Sequence, residues 1–168
     1  MRPAFGAAPF CYMKWLTVAA LLIAGVSCVE KAPPNPVPEQ VIPAQITASD
    51  RDLLPGENTT LTVTLTNTLE EEVELVFPTS CQALIFIRNS QGRVVTPENG
   101  TYECASVPSL LTIPVGATKT YTMTWGGGIE FGPAGSFPRV PAGSYFASAE
   151  LRADNYTAIA FPITIVVR

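Results

Sequence analysis

The sequence predicts an all-β fold, a sandwich of seven or eight short antiparallel strands, and three observations predict it. Apolar and polar residues alternate strictly from Thr60 to Thr66, with Leu61, Val63 and Leu65 on one face and threonines on the other; this is the pattern of a strand half buried against a core. A proline followed within two residues by glycine recurs at 55–56, 114–116 and 141–143, each time ahead of another strand-like run, and such pairs favour tight turns. No convincing helical period occurs outside the apolar run near the amino terminus. Short strands with turn signals at this spacing define a sandwich or a barrel, and the size favours the sandwich.

The first 28 residues read as a separate element. Lys14 precedes an apolar run from Trp15 to Val26, and the stretch closes Ala24-Gly25-Val26-Ser27-Cys28. A positive charge, a short apolar segment and small residues make a secretory signal, and the run is too short to span a bilayer. With a cysteine after the small residues, the end resembles a bacterial lipobox, so Cys28 is the expected site of lipidation. An ordinary signal peptide with an incidental cysteine is the alternative. Met13-Lys14-Trp15 also reads as a more natural start than Met1. Residues 29–44 follow as a linker with prolines at 33, 34, 36, 38 and 43, which favour an extended, stiff path suited to a tether. The expected setting is therefore the bacterial cell envelope, with the chain exported and held to a membrane through Cys28.

Residues 45–168 then form the expected domain. Gln45–Ser49 is a first strand, and Leu54-Pro55-Gly56-Glu57 is a type II turn leading into the alternating strand. Asn67–Glu72 is an acidic link, and Val73, Leu75 and Phe77 restore the period of two. Ala83–Ile87 is apolar on both faces, as in a strand covered on each side. Asn89–Gly92 is a hairpin turn with Val94 and Val95 on the return. The stretch 97–108 is irregular. Thr118–Trp125, Ser144–Leu151 and Ala158–Val167 complete the strands, and the glycine-rich segment 126–135 reads as a mobile loop.

Composition narrows the chemistry. Removing Arg2 and Lys14 with the signal takes the formal charge from −4 to −6, an acidic balance that argues against nucleic acid as a partner. There is no histidine, which removes the commonest general base and metal ligand. Ser80 has no base to activate it, Glu70-Glu71-Glu72 reads as a solvated link rather than a cation site, and the glycine-rich segment lacks the Lys-Ser/Thr of a phosphate loop. No enzyme, metal or cofactor is expected. Cys81 and Cys104 are the only cysteines inside the domain, and in an exported chain such a pair is expected to form a disulfide.

The run LTVTLTNTLEEEVELVFPTS at 61–80 resembles the opening of the BsuPI-type proteinase inhibitor domain. Asn67, Val73, Leu75, Phe77 and Thr79 stand where that family has its Asn, aliphatic strand and Phe-x-Thr ending. Gly92, Gly116, Trp125 and Pro141-Ala142-Gly143-Ser144-Tyr145 follow in order. The resemblance implies an immunoglobulin-like sandwich in which the two strands flanking Asn67–Glu72 lie in opposite sheets, with a simple hairpin as the alternative. It also implies a protein partner, a serine proteinase in the inhibitor reading; a cell-envelope interaction module without inhibitory activity is the alternative. The bridge would hold Thr79 and Ser80 against Tyr102, Glu103, Ala105, Ser106 and Val107, which makes these the candidate binding loop, with Tyr102 its expected anchor.

Overall fold

The alternating run becomes the centre of one sheet. In a computed structural model that describes residues 42–168, Thr59–Thr66 forms β3, flanked by β1 (Ala44–Ala48) and β8 (Thr118–Trp125), both antiparallel to it. Leu61, Val63 and Leu65 are fully buried, and burial of side chains of this kind contributes about 1.5–3 kcal/mol each. The second sheet has five strands in the order β2 (Asp52–Leu53), β10 (Thr157–Val167), β9 (Gly143–Arg152), β5 (Ala83–Arg88) and β6 (Val94–Thr96). β4 (Val73–Phe77) and β7 (Ser109–Ile113) make a separate two-stranded ribbon.

That makes ten strands among the described residues, of which β2 has two residues and β6 three. The other eight carry five or more each, in line with the expected number. One pair departs from the antiparallel expectation: β2 runs parallel to β10 through Asp52 and Leu53. A 3-10 turn at Glu98–Gly100 interrupts the stretch expected to be irregular, and β7, which begins just after that stretch, was not among the expected strands. The packed chain also starts earlier than residue 45, since Ile42 already lies in the core.

The two sheets pack β3 and β8 side chains against those of β5, β9 and β10. The core contains Phe77, Ile85, Ile87, Trp125, Leu151 and Ile165 together with the β3 residues. Tyr145, near the start of β9, donates its hydroxyl proton to the carbonyl of Pro141 at 2.6 Å and meets Trp125 edge-on at 6.1 Å. A tyrosine tied back to the chain just upstream, at the corner where it enters this strand, is a hallmark of immunoglobulin-like sandwiches. The strand orders β1-β3-β8 and β10-β9-β5-β6 agree with that fold.

The link after β3 behaves as neither reading of it foresaw. β4 does not fold back on β3, so the hairpin is excluded, and β4 does not join the five-stranded sheet either. It pairs with β7, and its other edge is taken by the turn between β9 and β10. There Asp154 N–H donates to Val76 O at 2.7 Å, and the Asn155 side chain bonds both Val76 N–H and Glu74 O. Asn67, fully buried, holds the crossing. Its Nδ2 donates to the carbonyls of Glu71, Ile113 and Pro114, and its Oδ1 accepts from Leu69 N–H.

Candidate functional site

Cys81 follows β4 and Cys104 precedes β7. The two are joined by the expected disulfide, with Cα atoms 5.5 Å apart. The bridge therefore ties the β4–β5 connection to the β6–β7 connection, and hydrogen bonds repeat the same tie. Ser80 N–H donates to Ala105 O and Ala105 N–H donates to Ser80 Oγ, both at 3.0 Å. Thr79 Oγ1 accepts Cys81 N–H at 3.3 Å, a serine/threonine turn that tightens the approach to the bridge. Val107 N–H donates to Ala105 O at 2.7 Å, which closes a three-residue turn with Ser106 at its tip. Gln82 anchors the base, donating through Nε2 to Ser109 Oγ and accepting from the Tyr121 hydroxyl.

The structure brings together most of the residues expected to form the loop. Ser80, Ala105 and Ser106 are exposed, and Thr79 is half-buried against the bridge. Val107 is 61% exposed, and Leu110 at the start of β7 is 57% exposed. Leu110 was missed because the stretch after Pro108 carries two adjacent leucines that blur the period of two.

Tyr102 stands elsewhere. Its hydroxyl donates to Ile85 O and accepts Ile85 N–H, so it satisfies both edge groups of β5 where β6 no longer pairs. Its ring stacks on Phe131 and meets Phe86 edge-on. Burial, with a further contribution from the Glu130 charge, pushes the phenol well above its ordinary pKa, opposed only by the bond to Ile85, so the group stays neutral. The expected anchor is thus a clasp between the stapled loop and the sheet. Its neighbour Glu103 lines a cleft of about 440 Å³ with Glu98, Asn99 and Glu130.

The glycine-rich segment departs further from its reading as a mobile loop. Gly126, Gly127 and Gly128 are buried. Gly128 O accepts from both the Trp125 indole and the Thr96 hydroxyl at 2.8 Å, and Val140 N–H donates to Gly127 O at 2.8 Å. A Cβ at Gly126 would stand 2.2 Å from the Ala134 backbone nitrogen. Gly126 has no room for a side chain, and Gly127 takes a positive φ of 72° that suits glycine. The signal sequence, Cys28 and residues 29–41 of the proline-rich linker lie outside the described residues; the last three linker positions, 42–44, already belong to the packed domain.

The described residues form an immunoglobulin-like sandwich with a disulfide-stapled loop at its surface. The family model of the intracellular proteinase inhibitor BsuPI matches residues 47–156, and the chain belongs to that family. The matched span holds both arms of the staple. No curated protein matches the chain. Among solved structures, the CARDB domain of a Pyrococcus furiosus protein is 15% identical over 76% of this chain and 87% of that domain, with a TM-score of 0.41. The carboxy-terminal domain of Wzt is 12% identical over 74% and 70%, with a TM-score of 0.44. The sporulation control protein Spo0M of Bacillus subtilis is 12% identical over 77% of this chain and 50% of its own, with a TM-score of 0.43.

Proposed function

We propose that this is a non-catalytic, exported domain, held to a membrane through lipid on Cys28, that binds and inhibits a serine proteinase through the stapled loop. The observation that carries the reading is the match to a proteinase inhibitor family across both arms of that loop. A loop fixed before binding loses little conformational entropy on docking, which is what an inhibitor needs to hold a substrate-like shape. Ser80, Ala105, Ser106 and Val107 supply its exposed surface, with Leu110 beside them. Tyr102 acts behind that surface as its support.

The experiment uses soluble protein from Val29 to Arg168, which contains the whole described core, assayed at micromolar concentration against a panel of serine proteinases. Inhibition of at least one of them is the expected result. No inhibition, with an envelope protein still captured by cross-linking in cells, would leave the interaction module as the correct reading. Intact mass of the cell-derived protein tests the anchor separately: acyl chains on Cys28 are expected, and a free amino terminus elsewhere contradicts it.

A further inference from the structure

β8 pairs with β3 along all eight residues and has nothing but a short contact on its other side. That contact fixes the direction of its backbone. Gly132 N–H donates to Thr124 O at 2.9 Å from the outer side, while Ala117 O accepts Asn67 N–H from the inner side. Backbone groups alternate along a strand, so the N–H and C=O of Thr118, Thr120 and Thr122 all face outward. They have no backbone partner among the described residues. Neither a bulge nor a proline interrupts the stretch, and an edge of this kind templates the addition of another strand unless something guards it.

The guard is Lys119. It lies on the core-facing side with Tyr121 and Met123, all three half-buried. Its ammonium sits 5.3 Å from the Tyr121 ring and has no carboxylate partner among the described residues. Because Leu65 of β3 takes the backbone groups of Lys119, an antiparallel newcomer would meet it as a non-hydrogen-bonded pair. Such pairs bring the two side chains closest, with Cα atoms about 4.5 Å apart. A neutral or basic residue there would bury the ammonium uncompensated, whereas Asp or Glu would pair with it.

We propose that the outer edge of β8 is a β-augmentation site for an extended acidic segment, with Lys119 selecting a carboxylate at the position opposite it and Tyr121 an apolar side chain two residues earlier. The backbone of Thr118, Thr120 and Thr122 supplies the binding, and Lys119 and Tyr121 supply the choice.

The test is amide hydrogen exchange by NMR on the soluble protein, with the peptides Thr-Val-Thr-Glu-Thr and Thr-Val-Thr-Lys-Thr added at millimolar concentration. The glutamate peptide is expected to slow exchange of the Thr118, Thr120 and Thr122 amides at least fivefold, and the lysine peptide to leave them unchanged. Lys119→Glu is expected to reverse that preference and Lys119→Thr to abolish it, so the test does not hang on one variant folding. Equal protection by both peptides, protection by neither, a preference that survives both substitutions, or concentration-dependent protection without peptide through a second copy of β8 would each overturn the proposal.

Discussion

Two long connections leave this sandwich, and they are held by opposite means. The stapled connection is fixed by a covalent bond and a few hydrogen bonds at the surface, with its tip exposed. The glycine-rich connection is fixed by burial: Gly126, Gly127 and Gly128 are buried, and the Gly128 carbonyl takes the protons of the buried Trp125 indole and Thr96 hydroxyl. A loop held at its base by a bridge keeps a free tip and can meet a partner. A loop held by burial is spent on the core.

The buried connection is most vulnerable at Gly126. Gly126→Ala places a methyl group against the Ala134 backbone, which cannot yield as a side-chain end would, and overpacking of that kind costs about 3 kcal/mol or more. Thermal unfolding should show the largest drop of any substitution in either connection. A change within error would mean the segment moves freely.

Cys104→Ala opens the other connection. Releasing a bridge between residues 23 apart should cost about 3 kcal/mol in the chain-entropy model, yet leave the sandwich folded, because the core lies elsewhere. Circular dichroism and the melting temperature check both halves of that expectation. Loss of the β signal at room temperature would show that the staple holds the whole domain.

Tyr102→Phe sharpens the distinction between anchor and clasp. It keeps the ring between Phe86 and Phe131 but orphans the N–H and C=O of Ile85, a loss of about 1–2 kcal/mol in stability. Binding to a proteinase should be unchanged in the folded protein. A tenfold loss of binding at unaltered stability would restore Tyr102 as a contact residue.

The smallest effect is alkaline. Burial raises the pKa of Tyr121 to about 12 and that of Tyr102 further, from an ordinary value of 10.0. With both folded-state values above the unfolded one, the unfolded chain releases protons first. Stability is therefore full below pH 10 and falls as pH rises from there toward the folded values. Tyr102→Phe should flatten part of the slope of melting temperature against pH above 10, and an unchanged slope would assign the effect to other groups.

Much of the fold was legible because local chemistry dictated it. The run that alternates from Thr60 could only be a half-buried strand, Thr118–Trp125 appears at its expected bounds, and Gly56 and Gly116 adopt the positive φ their turns require. Cys81 and Cys104 were readable as a pair because no other cysteine lies in the domain. What stayed hidden depends on contacts between distant segments. Tyr102 became a clasp because β6 stops short of Ile85, a matter of register that no local pattern records. The glycines of 126–128 read as freedom, whereas they are buried and Gly126 lies against the Ala134 backbone. β4 pairs with β7 and has its other edge capped by Asn155, which lies 79 residues beyond Val76.

Whether the exposed tip of the stapled loop is the inhibitory surface can be read at Val107. Val107 is 61% exposed, and its side chain forms none of the bonds that hold the loop together. Val107→Asp should therefore leave the melting temperature within a degree or two of the parent while placing a charge on the proposed docking surface. Measured against a proteinase that the parent inhibits, the inhibition constant is predicted to rise at least tenfold. An unchanged inhibition constant would place the contact elsewhere and contradict the account.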